Sequence, residues 1–489
     1  MKICCPGFFD LIHPGHERFL CNLASEYEDI RVIVLEGGRR PDRLGGVRLT
    51  PEKARQQIKR MLAEYPGTAV EIVPIEGVAE WFRANEQVNV VVIGDESGLA
   101  SYGWLNIVES MLIRRGGGIR IYRESFGGHV LDQRKFGRFP KSHDAEAIYK
   151  DLLDSQGTTI SSLCSKIEEA CGSFRALVVG DLVVDEYIHC SVAGISAEAP
   201  IPVMNENRRS VFVGGAGVMA RHLAALGCEV TYAASFGLGD VSELVEARLK
   251  SDGITCFHLS NSGSPLIKSR YVSGSSKLFR VTRGDAHISF EEDKFEQLLG
   301  LLSGYSVLFV ADFGSLFRNV SMTSKLLEEC KERAIPVVVD VQARGVGASV
   351  LSAPGSYVAM PTEKEARLAV DLPDAGLEEL GRTLMSYGGF GSLGLTLDED
   401  GVLVFDSEAL ASVAYLPALN RDPIDVSGAG DCQLVYFAMA RLSGSDVISS
   451  AVLASVAAGL AVSNLGNLPV TLEDVRECWR EGERLGDKP

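Results

Sequence analysis

Short apolar runs alternate with helical patterns from the first residues of the chain. Strand patterns cover Ile3 to Cys5, Arg31 to Leu35 and Val90 to Ile93, and helical patterns cover Pro51 to Glu64 and Val78 to Asn85. Strands that alternate with helices indicate a parallel sheet with helices on both faces. We therefore predict a first α/β domain in this region.

The same alternation resumes at Arg175 and continues to the end of the chain. Apolar strand patterns follow at 176–179, 307–310, 337–339, 358–360 and 394–397, with helical patterns that open near Ala216 and Asp431 and at Ser449. The segments Ile188 to Met204 and Ile267 to Val281 have a β-like pattern instead. These features predict a second α/β domain with a mostly parallel sheet and an added β-rich flap.

A polar stretch separates the two regions. Residues 140–144 contain no apolar run, and two short helical patterns follow at 145–153 and 160–170. The length of 489 residues is too great for one ordinary core. We predict a first domain over 1–138, a helical linker over 139–173 and a second domain over 174–489.

Composition narrows the class of protein. Apolar residues make up 46% and charged residues 23% of the chain, as in a soluble globular protein. No apolar run is long enough to cross a bilayer, and the apolar segment after Met1 is too short for a signal peptide, so we expect a cytoplasmic protein. The net charge of −17 argues against nucleic acid as a partner. The eleven cysteines show no metal-ligand spacing and are expected to be reduced.

The stretch from Asp425 to Asp431 reads Asp-Val-Ser-Gly-Ala-Gly-Asp and precedes an apolar helical pattern. Such a stretch predicts a glycine-rich turn at a helix N-terminus, where free N–H groups can hold a phosphoryl group. Asp431 would then accept the proton of an attacking hydroxyl. The alternative is a loop in which Asp425 or Ser427 caps the helix and the glycines only turn the chain.

A second junction of this kind lies near the N-terminus. The strand ending at Cys5 runs into Gly-Phe-Phe-Asp-Leu-Ile-His-Pro-Gly-His, which spans Gly7 to His16. A helix that begins at Pro14 would place His13 and His16 on one face at its positive end. Two imidazoles beside free N–H groups form a site for a polyphosphate. The alternative is that His13 and His16 are ordinary surface or core histidines without a ligand.

Two acids follow a strand of the second region. Asp181 comes directly after the strand pattern at 176–179, and Asp185 lies four residues further on. Acids at the carboxyl end of a strand in an α/β sheet face the crevice where ligands bind, and a carboxylate there can grip sugar hydroxyls. A turn-capping role is the alternative for both.

The N-terminal stretch resembles the nucleotidyltransferases that carry a Gly-x-Phe-Asp-x-x-His-x-Gly-His signature, such as cytidylyltransferases and sugar-phosphate adenylyltransferases. The resemblance implies a Rossmann-like domain in which His13 and His16 hold the nucleotide phosphates. The other implied nucleotide-binding residues are Gly7, Phe8, Phe9, Asp10, Gly15, Arg43, Arg48 and Asp95. The Ser/Thr-rich turn that usually completes this family's triphosphate site is not found, which leaves the choice of base open.

The second region resembles the ribokinase-like (PfkB) sugar kinases, through the Gly-Gly-Ala at Gly214 and the motif that ends at Asp431. The resemblance implies that Asp431 is the catalytic base and that the N–H groups of Gly428, Ala429 and Gly430 hold the phosphoryl group. It also implies a dimer formed through the flap. The remaining implied site residues are Asp181, Asp185, Gly214 and Gly215 for the sugar, Thr396 for ATP, and Glu365 for Mg²⁺ through water.

Together the two regions resemble the bifunctional heptose-7-phosphate kinases and heptose-1-phosphate adenylyltransferases, with the two halves in reverse order. The resemblance implies an enzyme that uses Mg²⁺ and ATP or CTP to make an ADP- or CDP-activated, heptose-like sugar. The kinase half departs from that pattern at several positions. Val218 replaces an Asn, Gln342 a Lys, and Ser315 another Lys. Either the substrate differs, or the second half is a weak or inactive kinase-like regulatory domain.

Overall fold

The structure is a computed structural model, and most of the C-terminal region is described. It describes residues 2–7, 9, 12, 16, 19–21, 23–24, 27, 29–36, 49–63, 65, 67–94, 108, 111–112, 118–122, 145–260, 262, 265–273, 276–284, 291–314, 316–342, 349–408, 412–420, 423–464 and 466–486.

Five parallel strands form the N-terminal sheet, in the order β3-β2-β1-β4-β5. They are β1 (Lys2–Gly7), β2 (Asp29–Glu36), β3 (Thr68–Pro74), β4 (Val88–Gly94) and β5 (Gly118–Tyr122), with helices α1 (Pro51–Met61) and α2 (Val78–Ala84). The strand order reverses beside β1, which leaves a crevice at the carboxyl ends of the strands. This order agrees with the expected Rossmann-like sheet.

Local sequence explains where α1 begins. The Thr50 side chain accepts a hydrogen bond from the Lys53 N–H, Pro51 takes the first helical position, and Glu52 lies in the first turn. The hydroxyl satisfies one of the free N–H groups, and the acid complements the helix dipole.

The C-terminal region contains two sheets, and its elements are as follows. The strands are β6 (Arg175–Gly180), β7 (Leu182–Ile195), β8 (Pro202–Gly215), β9 (Glu229–Ser235), β10 (Thr255–Ser260), β11 (Leu266–Ser273), β12 (Ser276–Arg283), β13 (Val307–Asp312), β14 (Val337–Val341), β15 (Val358–Ala359), β16 (Ser392–Thr396), β17 (Val402–Asp406) and β18 (Ser412–Leu416). The helices are α3 (Ala145–Ser155), α4 (Ile160–Cys171), α5 (Ala216–Ala225), α6 (Asp240–Ser251), α7 (Glu292–Leu301), α8 (Val320–Glu332), α9 (Glu363–Val370), α10 (Leu377–Gly388), α11 (Ala429–Leu442), α12 (Val447–Ala461) and α13 (Leu472–Gly486).

The larger sheet has nine strands in the order β10-β9-β6-β13-β14-β15-β16-β17-β18. All neighbours pair in parallel except β16 with β17 and β17 with β18. The inner strand β13 is buried at every position. A strand buried on both faces reads as a continuous apolar run, and this is the pattern that predicted it. The mostly parallel sheet is therefore confirmed.

The helices of the predicted linker pack into the core of the C-terminal sheet. Tyr149 on α3 is fully buried, and its hydroxyl donates to the carbonyl oxygen of Pro417 over 2.7 Å. Leu163 and Ile167 on α4 belong to the same apolar cluster as the strands β6 and β13. Helices α3 and α4 therefore share a core with the C-terminal sheet. Within the described ranges, no helix combines the length and the apolar character needed to cross a membrane.

The flap is a four-stranded sheet in the order β12-β11-β7-β8. Strands β7 and β8 form a long antiparallel hairpin, and β11 pairs in parallel with β7. The predicted flap is present, but the sequence placed its first part at 188–204, whereas β7 begins at Leu182 and β8 ends at Gly215. Asp185 and the two glycines of Gly-Gly-Ala therefore lie on the flap strands themselves.

Candidate functional site

The glycine-rich turn leads directly into α11. Gly428 is the residue before the helix, with a φ of 76°, and as a glycine it has no side chain that could accept a hydrogen bond from the first-turn N–H groups. A Cβ added to Gly430 would meet nothing within 4 Å, so this side of the turn is open. The Ala429 N–H donates to the Val426 carbonyl oxygen over 3.4 Å, a long hydrogen bond, and an open helix N-terminus of this kind favours an anion. The alternative in which Asp425 or Ser427 caps the helix is not what the structure shows.

Asp431 lies in the first turn of α11. Its Oδ1 is buried and has no hydrogen-bond partner among the described residues. Burial raises the pKa of Asp431 to about 7, with the positive charge of Lys268 acting against this rise and the negative charge of Asp185 adding to it. A carboxyl group with a pKa near neutrality, and with a free oxygen, suits a general base.

Other carboxylates lie at the same edge of the sheet. Burial raises the pKa of Asp340, on β14, well above its usual range, and the charges of Asp431, Glu365 and Asp312 raise it further. Asp312, at the end of β13, accepts hydrogen bonds from the N–H groups of Gly314 and Leu316 over 2.8 and 2.9 Å. Asp312 thus shapes the loop after β13, while Asp340, Asp431 and Glu365 form a group of interacting carboxyl groups beside the turn, in which the pKa of Asp340 and that of Asp431 are both raised.

The four residues predicted to bind the sugar are brought together. Asp185, on β7, is 5% exposed and accepts hydrogen bonds from the Arg270 guanidinium and from Asn467 Nδ2. A Cβ on Gly214 would lie 2.6 Å from Asp185 Oδ2. A Cβ on Gly215, whose φ is 58°, would lie 2.5 Å from the carbonyl oxygen of Asp181. Only glycine allows the chain to pass so close to both acids.

Asp181 has a structural partner that the sequence did not indicate. It is 2% exposed, and its Oδ2 accepts a hydrogen bond from the Phe313 N–H over 2.7 Å. This contact ties the end of β6 to the loop after β13. Its role toward a sugar stays a prediction.

Two basic residues of the site were missed in the sequence. Lys268 on β11 is 8% exposed, and its Nζ lies 5.3 Å from the centroid of the Phe313 ring. It stands opposite Asp185 in the pairing of β11 with β7. Arg270, two positions along the same strand, pairs with Asp185. Alternate residues of a strand share a face, so the Lys-x-Arg spacing in a predicted flap strand was the signal available.

Asp425 joins the turn to the flap. Its Oδ1 accepts hydrogen bonds from Lys277 Nζ on β12 and from Ser427 Oγ, over 2.9 and 3.0 Å. Its Oδ2 accepts from the Tyr187 hydroxyl and from the Gly466 N–H. Burial alone would raise the pKa of Asp425, but the hydrogen bonds from Tyr187 and Lys277 outweigh burial and hold it below its usual value. Asp425 is therefore charged and holds four segments together.

Glu365 and Thr396 both lie beside Thr362, which pairs in parallel with Thr396 and caps the helix that carries Glu365. Glu365 forms a capping box at the start of α9, where its Oε2 accepts from the Thr362 N–H over 3.0 Å and its own N–H donates to Thr362 Oγ1 over 3.3 Å. The Thr396 N–H donates to the Pro361 carbonyl oxygen over 3.0 Å. The capping box fixes Glu365 in place and leaves Oε1 outside these hydrogen bonds. Roles toward Mg²⁺ and ATP stay predictions.

The N-terminal signature is described at three of its positions. Gly7 ends β1, and a Cβ there would lie 2.6 Å from the Phe9 ring. Phe9 is 5% exposed, has a φ of 47°, and its ring centroid lies 5.7 Å from that of His16 in an edge-on contact. The predictions for Phe8, Asp10, His13, Gly15, Arg43, Arg48 and Asp95 concern residues outside the described ones.

Known relatives match this chain over about three fifths of its length. Bifunctional protein HldE of Trichlorobacter lovleyi is 29% identical over 315 residues, which cover 63% of each chain. The protein of the same name from Geobacter metallireducens is 29% identical over 310 residues, which cover 62% of each. The chain thus spans 63% or less of the length of these two curated relatives.

Solved structures match the C-terminal fold. The ribokinase of Giardia lamblia superposes with a TM-score of 0.52 at 17% identity, covering 63% of this chain and 99% of that one. The ribokinase of Arabidopsis thaliana, in complex with ribose and ATP, gives a TM-score of 0.51 at 16% identity over the same shares. At these identities the likeness shows the fold.

A family model shows the protein family of this chain. The model described as pfkB family carbohydrate kinase matches residues 175–471. This range contains both sheets of the C-terminal region, the glycine pair on the flap and the turn that precedes α11. The chain therefore belongs to the pfkB family of carbohydrate kinases.

Proposed function

We propose that this protein is a bifunctional sugar kinase and sugar-phosphate nucleotidyltransferase that makes an ADP- or CDP-activated, heptose-like sugar. The observation that carries the kinase activity is the buried Oδ1 of Asp431 at the open N-terminus of α11, which has no hydrogen-bond partner in the described part of the chain. Membership of the pfkB family supports the kinase activity, and the relatives' name, bifunctional protein HldE, supports a second activity beside it.

The positions of Asp185 and Asp431 support the following reaction for phosphorylation of a sugar. A sugar held by Asp185 presents a hydroxyl to Asp431, which takes its proton as the oxygen attacks the γ-phosphorus of ATP. The new oxygen–phosphorus bond forms while the bond to the β-phosphate oxygen breaks, and ADP leaves. The N–H groups of Gly428, Ala429 and Gly430 stabilise the charge on the phosphoryl group in transit.

The carboxylates at this edge fit Mg²⁺. Among the described residues, no group of three or more His, Cys, Asp or Glu side chains could hold a metal ion directly. Mg²⁺ usually keeps several waters and is held by one or two carboxylates and the substrate phosphates. Glu365, through water, and the neighbouring Asp340 would hold it, and the ion would neutralise the phosphate charge. Glu365 suits this role because the capping box fixes its carboxylate.

The N-terminal half would perform nucleotidyl transfer. His13 and His16 would hold the phosphates of ATP or CTP while a phosphate oxygen of the sugar phosphate attacks the α-phosphorus and pyrophosphate leaves. The edge-on contact between Phe9 and His16 supports this role, because it fixes the imidazole beside the end of β1.

An alternative is an active nucleotidyltransferase fused to an inactive kinase-like domain, which Val218 and Gln342 left open. Lys268 and Arg270 favour the active kinase, because they bring positive charge to the site from the flap. Within the described ranges, Oδ1 of Asp431 also has no hydrogen-bond partner and is available to a substrate hydroxyl.

The test measures ADP and pyrophosphate release separately, with Mg²⁺ and ATP or CTP, over heptoses, heptose phosphates and pentose phosphates. We expect Asp431→Asn to lose only ADP release, by about 10²- to 10⁴-fold, and His16→Ala to lose only pyrophosphate release. Each variant is the control for the other. Pyrophosphate release without sugar-dependent ADP release would support the alternative.

The flap also offers a surface for a second copy of the chain. Phe279 on β12 is 52% exposed and stacks on Tyr271 with ring centroids 4.5 Å apart, and Val281 is 40% exposed. Isolated exposed apolar residues are common, but neighbouring ones on a regular strand indicate a contact surface. We propose that two copies of the chain form a homodimer through this face of the flap.

A further inference from the structure

Asn467 connects separate parts of the kinase site and has no role assigned above. It lies between α12 and α13 and is 5% exposed. Its Nδ2 donates to Asp185 Oδ2 over 2.8 Å and to the Val213 carbonyl oxygen over 3.1 Å. A carboxylate and a carbonyl only accept hydrogen bonds, so the amide can take only this orientation. Asn467 therefore fixes the carboxylate of Asp185 against β8.

The other end of the same amide faces the glycine-rich turn. Asn467 Oδ1 lies 2.8 Å from the position that a Cβ would take on Gly428, and it is buried without a hydrogen-bond partner among the described residues. Val218 on α5 approaches the same position to 3.4 Å with a methyl group. Asn467 is thus a polar side chain that lies between Asp185 and the turn.

Buried contacts hold the backbone of this segment. Arg221 on α5 is 3% exposed, donates to the Asn467 carbonyl oxygen over 2.8 Å and pairs with Asp252 over 2.7 Å. The Val470 N–H donates to His222 Nδ1 over 3.3 Å. Burial, with a smaller effect from Arg221, lowers the pKa of His222 to about 3, so this imidazole is neutral and can accept. The backbone between α12 and α13 is thus anchored to α5 at two points, Asn467 and Val470.

We propose that Asn467 is a positioning residue for sugar phosphorylation. It acts through Asp185, whose carboxylate it aims at the acceptor sugar, and through the position of its Oδ1 beside Gly428, which sets the distance from the sugar to the glycine-rich turn. Without the Nδ2 donor, Asp185 keeps the Arg270 contact and turns toward it. The inference rests on the kinase activity proposed above and assigns a residue to its sugar side.

The experiment compares Asn467→Ala and Asn467→Asp with Asn464→Ala, which changes an exposed residue of the same type in the same segment. The readouts are kcat, KM for the sugar, KM for ATP, and the melting temperature. Loss of a hydrogen bond to a charged group corresponds to a fall of about 10- to 100-fold in kcat/KM. We expect this fall for the sugar in both Asn467 variants, with KM for ATP within about twofold of wild type.

Three outcomes separate the possibilities. Asn467→Asp keeps the shape of the side chain without the donor, so wild-type kcat/KM in this variant overturns the inference even if Asn467→Ala fails to fold. A lower melting temperature with unchanged kinetic constants also overturns it, since that is the signature of a purely structural residue. If wild type and Asn464→Ala release no ADP with any sugar, the proposed kinase activity fails and the inference fails with it.

Discussion

Asp431, the proposed base, combines a buried oxygen with a neighbouring positive charge, and the balance between the two sets its protonation. Burial raises its pKa to about 7, and Lys268 opposes that rise. A general base works when it is deprotonated. Kinase activity should therefore be governed by this one carboxyl near neutrality.

The first prediction concerns pH. We expect kcat/KM for sugar-dependent ADP release to rise with pH up to about 7 and then to level off, because Asp431 must lose its proton. Lys268→Met removes the charge that lowers the pKa, so its profile should move to higher pH. Lys325→Met, at an exposed lysine paired with Glu296, should keep the wild-type profile. Identical profiles in all three proteins would contradict this role of Lys268.

The second prediction concerns the glycines of the turn. Gly428 has a φ of 76°, and a Cβ there would lie 2.8 Å from Asn467 Oδ1, whereas a Cβ on Gly430 meets nothing within 4 Å. Gly428→Ala should cost about 1–3 kcal/mol of unfolding free energy. Gly430→Ala should be neutral or slightly stabilising, because alanine favours helix. Thermal unfolding measures both, and equal melting temperatures would refute the argument.

Residues that act through local spacing could be predicted from the sequence, and residues that act through distant partners could not. The turn before α11 and the glycine pair before α5 were identifiable because a few adjacent residues define them. Asn467 and Asp185 are 282 positions apart, and Lys277 and Asp425 are 148 apart. No single sequence shows which of its many polar residues meet across such distances.

Among the elements, buried strands were easier to predict than edge strands and hairpins. β13 and β14 begin with continuous apolar runs, at 307–311 and 337–339. In contrast, β3 has only two buried positions, and β17 and β18 form an antiparallel pair. The flap hairpin extends further than its pattern indicated, because Asp185 and Glu186 interrupt the apolar run while remaining buried. Their partners on neighbouring strands compensate their charge, which periodicity alone does not reveal.

The third prediction concerns helices α3 and α4. A fragment that starts at 174 would leave the pockets of Tyr149, Leu163 and Ile167 empty. Each such loss costs about 2–5 kcal/mol, and whole domains are stable by only about 5–15 kcal/mol. We expect residues 145–489 to unfold cooperatively by circular dichroism and 174–489 not to. The same sharp transition in both fragments would show that the helices are dispensable.

At the scale of the whole molecule, the exposed flap face bears on assembly. We expect a dimer by sedimentation velocity and a shift to monomer in Phe279→Asp, because a carboxylate would be buried in the apolar contact. Leu244→Asp, at a leucine of α6 that is 54% exposed, should remain dimeric. A wild-type protein that sediments only at monomer mass would rule out this part of the proposal.

The position of Asp425 has a consequence for the energetics of the two substrates. One carboxylate contacts Lys277 on the flap and Ser427 in the glycine-rich turn. In the proposed kinase reaction, a shift of the flap on sugar binding would therefore change the free energy of the turn, and with it the affinity for nucleotide. Thermodynamic linkage requires the effect to be reciprocal, so the factor by which sugar alters the dissociation constant of ATP equals the factor by which ATP alters that of the sugar.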